Sequence, residues 1–346
     1  MANTAFDEGA TGQRALERDW MPNRFVLRDA WQPIAHVRDV GENVVCRHVH
    51  SEPCYLWRAK GHLHACRRHP DRAGIRRGSP DCASAPAIEN DYPVLERYGY
   101  VWVWFGDPPR AHASLVPDVP YLPLDGNLPA YMHGTVRFDC CSGLLIENLL
   151  DLTHADFLHA GVLGDEHADE DRIEVIYTSE TVTMIRNCVN KSVAPIMRWF
   201  GGVRAKYQDV RAVIHVHVRS SVALAYGRYS PGIDLQLFHP CIPESRDRCR
   251  LNFTLNSRSV SFPLRYLMPL TPYVVGPQDN VMVGPQSGRY AQPSSRLDLF
   301  SRFDSAGARY RHLVQRIAQR QRAGDFAYAA DAQPGRDVRE LLGMRG

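Results

Sequence analysis

Apolar and polar positions along the chain form two strand-like regions separated by one helical stretch. From Phe25 to Trp104, short runs with period-two alternation are punctuated by Gly and Pro, as in VVCRHVH (44–50), CYLWRA (54–59) and YVWVWFG (100–106). That pattern predicts strands. Tyr100, Trp102 and Trp104 alternate with Val101 and Val103, as in a strand buried on at least one face, with the rings serving as core. Period two returns over 172–186, 213–227 and 234–240. Between these regions Leu144, Leu145, Ile146, Leu149, Leu150, Phe157 and Leu158 crowd together, and neither Gly nor Pro interrupts them before Gly161. Such a run predicts a buried helix. Near the C-terminus, Leu299, Phe303, Tyr310, Leu313, Val314 and Ile317 supply the apolar stripe of an amphipathic helix or helix pair over 296–323.

The central helical stretch also carries chemistry. Its sequence from Glu147 to Gly164 is ENLLDLTHADFLHAGVLG, which adds Asn148, Asp151, His154 and His159 to an apolar background. Asp151 and His154 are three apart and would share a helical face. His159 lies five beyond His154, about 140° round an ideal helix, so both imidazoles reach one ion only if the helix breaks or bulges between them. This spacing differs from the His-Glu-x-x-His zinc helix. Two histidines do not name a metal, since imidazole suits iron, zinc, copper and nickel. Two His plus one carboxylate with open positions would point to Fe(II) and oxygen chemistry. Two hydrogen-bonded histidines at a helix end would give the same spacing.

Bulk properties narrow the field. At 346 residues, 44% apolar and 23% charged, the chain is long enough for two domains and ordinary in composition. Its net charge of +3 is too weak to argue for nucleic acid. The cations are nearly all arginines, Lys60, Lys191 and Lys206 being the lysines, and no basic run is interleaved with aromatics. No membrane span or signal peptide is apparent, and nine cysteines without secretory context predict reduced thiols in the cytoplasm. Residues 1–20 read as a mobile arm, and the Pro-rich stretch 117–130 as a linker. His215 and His217 would point to one side of a strand, as solvent-facing or pocket-wall side chains.

The Asn-x-x-Asp-x-x-His-x4-His pattern in ENLLDLTH and beyond resembles the mononuclear-iron motif of Rieske non-haem iron oxygenases, in the vanillate O-demethylase-like branch. AWQPIAHVRDVGE near residue 30, SEPCYLWRAKGHLHA near 55, DYPVLERYGYVWVWFGDP from 91 and PQDN at 277–280 agree in order. The resemblance implies an α+β fold. An N-terminal all-β Rieske-like domain (21–116) would precede a helix-grip catalytic domain (131–330) with an antiparallel sheet and C-terminal helices, and a tail would follow (331–346). It also implies His154, His159 and Asp279 as iron ligands, Asp151 as the bridge that carries electrons to the iron, and Asn148 close to the metal. For Asp279 a turn residue is the competing reading, given Gly276, Pro277 and Asn280 around it. An acidic residue that often follows in the family is replaced by Val283-Gly284-Pro285-Gln286.

A Rieske [2Fe-2S] cluster needs two Cys on one iron and two His on the other. At the place of the family's first loop the chain has Ala65-Cys66-Arg67-Arg68-His69, and Cys82 is the one further cysteine before DYPVLERYGY. The alternative ligand set Cys46, His48, Cys66 and His69 satisfies the spacing literally, but Cys46 and His48 fall in a strand-like run. The cluster is therefore expected to be absent or supplied in trans.

The resulting expectation is O2-dependent hydroxylation or O/N-demethylation of a small aromatic or heterocyclic substrate. Electrons would come from a reductase or a Rieske/ferredoxin-type partner, in a trimeric homo- or hetero-oligomer. Two other readings are a non-catalytic partner subunit of a cluster-bearing oxygenase and a metal-free small-molecule binder. Arg186, Arg204, Arg219 and Arg228 are candidates for holding a substrate carboxylate.

Overall fold

A computed structural model describes residues 26–70, 91–125, 131–164, 167–256, 259–291, 301–329 and 338–345. In the N-terminal region the alternating runs form strands β1 (Ala30–His36), β2 (Val45–Val49), β3 (Glu52–Ala59), β4 (His62–Cys66), β5 (Val94–Arg97) and β6 (Tyr100–Phe105). They make two three-stranded antiparallel sheets, ordered β1-β6-β5 and β2-β3-β4. Two hairpins close through residue pairs at positive φ, Lys60-Gly61 and Tyr98-Gly99. That geometry matches the right-handed twist of the flanking strands and favours Gly at the second position. Every residue of β6 is buried. Tyr100, Trp102 and Trp104 enter one core, and Val101, Val103 and Phe105 another.

The second region is a seven-stranded antiparallel sheet of β7 (Tyr131–Phe138), β8 (Glu170–Tyr177), β9 (Thr181–Ser192), β10 (Tyr207–His217), β11 (Val222–Ser230), β12 (Leu235–Pro243) and β13 (Cys249–Asn256). Their order is β7-β13-β12-β11-β10-β9-β8. Two apparently continuous runs in the sequence are hairpins, β8–β9 and β10–β11. The first turn lacks Gly and Pro. It closes through the Thr178 hydroxyl, which accepts from the amides of Glu180 and Thr181 at 3.1 and 3.0 Å.

The helices are α1 (Ser142–Leu150), α2 (Ala155–Leu158), α3 (Ala160–Leu163), α4 (Pro195–Trp199), α5 (Pro272–Ala291), α6 (Ser305–Arg322) and α7 (Val338–Leu342). One face of the sheet, with Val216, Ala223 and Ala225, packs on α1 and α6, whose contribution includes Leu145, Tyr310, Leu313, Val314 and Ile317. The other face, with Val222, Leu224 and Tyr226, meets the β6 aromatics. Alternate side chains of β11 thus serve opposite layers. This is a mixed α+β architecture built on antiparallel sheets.

Several expectations fall partly or wholly outside the described residues: the arm 1–20, Cys82, Leu299, linker residues 126–130, and tail residues 331–337 and 346. The described part of the Pro-rich stretch is not a loose connector. Val119, Tyr121 and Leu122 are buried, and the Tyr121 hydroxyl donates to the Leu237 carbonyl at 2.6 Å. His215 and His217 do not face solvent. Both are buried on the sheet face that meets the N-terminal region, with rings 4.8 Å apart and His215 Nδ1 2.7 Å from Thr183 Oγ1. Among the described residues no helix is long and apolar enough to cross a membrane.

Candidate metal centre

The helical stretch breaks ahead of His154 and again at His159, and a single helical turn joins the two histidines where their spacing predicts a break between them. Helix α1 ends at Leu150, and Asp151 leaves helical geometry at φ −89°, ψ 88°. The Asp151 carboxylate then accepts from the amide and hydroxyl of Thr153, at 2.9 and 2.5 Å, which closes a local turn. His154 opens α2, and His159, at φ −113°, ψ 23°, separates α2 from α3. Gly164, at φ +111°, lets the chain leave α3 toward β8. These breaks bring the two rings to 5.1 Å between centroids, nearly perpendicular at 79°.

Helix α5 delivers the third group. Asp279 Oδ1 lies 3.0 Å from His159 Nε2 and 3.4 Å from His154 Nε2. Among the described residues these three form the one group of His, Cys, Asp or Glu side chains whose ligand atoms all fall within 4.8 Å of one another. The turn-forming residues Gly276, Pro277 and Asn280 sit inside a twenty-residue helix and not in a turn. Tertiary contacts hold that helix: Gly276 lies so close to Val136 that an added Cβ would sit 3.0 Å from its Cγ1. The Asn280 side chain also accepts from the Asp139 amide at 2.8 Å. Glu147 on α1 is gripped by Arg311 on α6 at 2.6 Å through two nitrogens, which ties those two helices together.

Each donor has a second contact that orients it. The Asn148 amide donates to Asp279 Oδ1 at 3.0 Å. Burial opposes ionisation of Asp279, but the bonds from His154, His159 and Asn148 outweigh it and hold the carboxyl well below the usual range. His154 shows the reverse balance. Burial opposes its charge, and Asp279 raises its pKa nonetheless. His154 Nδ1 faces the Asp151 carbonyl, and His159 Nδ1 lies 2.8 Å from Gln278 Oε1. Without a metal each Nε2 can donate to Asp279; with an acceptor at each Nδ1, a ring that gives up its Nε2 proton becomes the Nδ1–H tautomer, whose Nε2 lone pair points at the common centre. Two imidazoles and a carboxylate with their ligand atoms within 4.8 Å of one another fit a divalent transition metal such as iron.

The sequence singles out neither Gln278 nor His239. His239 on β12 is buried, its Nδ1 has no hydrogen-bond partner among the described residues, and Asp279 acts on it electrostatically. Burial holds it neutral, with its pKa pushed down to about 4. The period-two pattern marks its strand but carries no cue that this imidazole turns toward the site. Asp151 supports its neighbour through its backbone carbonyl, while its carboxylate is used by Thr153. Beside α1, a cleft of about 430 Å³ is lined by Asn148, Asp151, Glu147, Arg289 and Arg311, among others.

Other candidates lie elsewhere. Cys46, His48, Cys66 and His69 do not gather. Strand register places Cys46 opposite Tyr55 and Tyr55 opposite Cys66, so Tyr55 stands between two cysteines that are two strand spacings, about 10 Å, apart. Two thiolates of one iron cannot be separated by an intervening strand. His48 lies opposite Pro53, exposed, and the His69 ring packs on Tyr55 with centroids 5.4 Å apart. The four as placed do not fit a cluster. None of the four candidate arginines forms a clamp beside the three donors. Arg186 and Arg219 are engaged by carboxylates, Arg204 is exposed, and Arg228 reaches the Gly343 carbonyl.

Comparisons with known proteins bear on this geometry. Residues 138–320 match the family model described as the vanillate O-demethylase oxygenase C-terminal domain. The oxygenase subunit of vanillate O-demethylase from a Pseudomonas species is 34% identical over 113 residues, which cover 33% of this chain and 31% of that protein. The oxygenase component of dicamba O-demethylase from Stenotrophomonas maltophilia is likewise 34% identical over 113 residues, 32% of this chain and 30% of that protein. The matched stretch thus spans about a third of these curated relatives. The crystal structure of dicamba monooxygenase bound to 3,6-dichlorosalicylic acid superposes with a TM-score of 0.73. That match covers 86% of this chain and 99% of that one at 22% identity, a likeness of fold.

Proposed function

The chain belongs to the family defined by the C-terminal domain of vanillate O-demethylase oxygenases, and from that premise we propose that it is the oxygenase component of a Rieske-type monooxygenase or demethylase. The observation that carries this reading is the convergence of His154, His159 and Asp279 within 4.8 Å. One ferrous ion bound there would supply O2 activation, with hydroxylation, or O- or N-demethylation with loss of formaldehyde, as the net chemistry.

The protein's own groups prepare that site. Asp279 stays ionised because the Asn148 amide donates to it and the two imidazoles lie beside it. The Asp151 carbonyl and Gln278 hold the two imidazoles in the tautomer that keeps Nε2 available. His239 contributes a buried neutral imidazole, able to donate or accept one hydrogen bond. The substrate is a small aromatic or heterocyclic molecule, in keeping with the similarity to vanillate and dicamba O-demethylase oxygenases. Asp151, at the cleft beside α1, is the residue through which electrons would arrive. Because Cys46, His48, Cys66 and His69 are not gathered, those electrons come from a separate Rieske or ferredoxin-type donor that docks over this cleft, in a trimeric homo- or hetero-oligomer.

Anaerobically purified protein tests the proposal directly. About one equivalent of iron is expected, lost in His159→Ala, with no reduced-cluster paramagnetic signal from the chain. Iron-free protein carrying a bound small molecule would make it a binder. Full activity of a cluster-bearing homologue partnered with the His154→Ala variant would make it a non-catalytic subunit.

A further inference from the structure

Asp156 lies between the two imidazoles and is the one charged residue of α2. Its carboxylate is buried. Oδ2 accepts from an Arg186 terminal nitrogen at 2.6 Å, and Oδ1 lies 2.9 Å from Lys191 Nζ. Both cations are buried and both project from β9. The same Arg186 guanidinium donates its other terminal nitrogen to the Leu152 carbonyl at 2.9 Å. Its Nε and Nη2 donate to Asp171 of β8 at 3.0 and 2.6 Å. One planar group therefore holds the ligand segment two residues before His154 and two residues after it, and fixes both points to the sheet.

This network does more than neutralise charge. Breaking the helix after Leu150 strips carbonyls of their intrahelical partners, and Arg186 supplies a donor to one of them. Arg186 and Lys191 balance Asp156 and Asp171. A balanced buried network is seldom more stabilising than an apolar core of the same shape, so stability alone is a weak reason for it. A guanidinium offers five donors in a rigid fork, which a flexible ammonium cannot reproduce. Here the fork reaches three acceptors on three separate segments. Lys191 holds the second oxygen of Asp156 and stops that carboxylate from rotating.

We propose that Arg186 is a positioning residue for the metal centre: by clamping Leu152 and Asp156 to β9 it sets the spacing and angle of His154 and His159. This rests on the reading of His154, His159 and Asp279 as an Fe(II) site. It assigns no substrate contact to Arg186.

The test uses full-length Arg186→Lys, Arg186→Met and Asp156→Asn variants. Three quantities are measured: the Fe(II) dissociation constant by anaerobic chelator competition, the visible absorption of the Co(II)-loaded protein, and urea unfolding of the metal-free protein. Arg186→Lys keeps the charge but not the fork. It is expected to weaken Fe(II) binding about 10–100-fold, the range for groups that orient metal ligands, and to shift the Co(II) bands, with a smaller change in urea midpoint than Arg186→Met. If Arg186→Met does not fold, the other two variants decide. Fe(II) affinity within about twofold of the unmodified chain, far below that range, with unchanged Co(II) bands and a lowered urea midpoint, would make the network structural only and overturn the proposal. An unmodified chain that binds neither ion would instead sink the metal reading itself, and the proposal with it.

Discussion

Replacing Gln278 by Leu removes one contact from the site and leaves all three proposed ligands in place. Gln278 Oε1 lies 2.8 Å from His159 Nδ1, and His159 is only 2% exposed, so bulk water has no access to take over as acceptor. Leaving a buried N–H without an acceptor costs about 1–3 kcal/mol. That penalty falls on the tautomer that presents Nε2 to the metal. The other tautomer escapes it by putting its hydrogen on Nε2, toward Asp279 Oδ1 at 3.0 Å. At about 1.4 kcal/mol per factor of ten, the loss corresponds to an Fe(II) affinity roughly 5- to 100-fold weaker, in line with other groups that orient metal-bound imidazoles. Gln278→Glu supplies a stronger acceptor and should hold or tighten binding. Anaerobic competition against a calibrated chelator at neutral pH reads both variants, and urea unfolding of the metal-free proteins separates affinity from stability. Equal Fe(II) affinity for Gln278→Leu and the unmodified chain would refute the argument that this contact selects the tautomer.

Three further outcomes are expected. Asp151→Asn keeps the oxygen that Thr153 uses, so iron loading should persist while turnover driven by an external donor falls; undiminished turnover would remove Asp151 from the electron path. Acid should destabilise the metal-free protein. Burial pushes His36, His215 and His239 down to about 4 from 6.5, so between those limits the unfolded chain binds more protons and stability drops as pH falls. Three such groups lose together up to about 4 kcal/mol for a one-unit drop near pH 5, and equal urea midpoints at about pH 7.5 and about pH 5.5 would refute this. Gly164→Ala, at φ +111°, should cost about 1–3 kcal/mol of stability, read by urea unfolding, and an unchanged midpoint would show that the backbone there relaxes freely.

Much of this was legible in the chain because the cues were local. Leucine density marked α1, and the five-residue spacing of His154 and His159 called for a break between them, whereas the structure breaks the helix before His154 and at His159 itself. The alternation in YVWVWF marked β6. What the sequence hid depends on contacts from afar. Pro277 and Asn280 read as a turn, yet β7 and the end of that strand hold them in α5. Arg186 read as a possible substrate clamp, and only folding shows that it belongs to Asp156, Asp171 and Leu152. Gln278 was passed over beside the more obvious Asp279. His239 lay in a recognisable strand, but which imidazole turns toward the centre is decided by sheet register. Cys46 and Cys66 matched a spacing that cannot know a tyrosine strand runs between them.

The β6 aromatics carry one more implication. Tyr100 and Trp102 pack against Phe238 of the large sheet, with ring centroids 5.1 and 6.1 Å apart, and Trp104 joins the same layer. The N-terminal third thereby acts as a lid of grease over the back of the reactive domain, whatever its capacity to store an electron. Cutting the chain to its C-terminal two thirds would bare Val222, Leu224, Tyr226 and Phe238 to water. Such a fragment should clump instead of working alone, which gives this region a reason to remain that has nothing to do with redox chemistry.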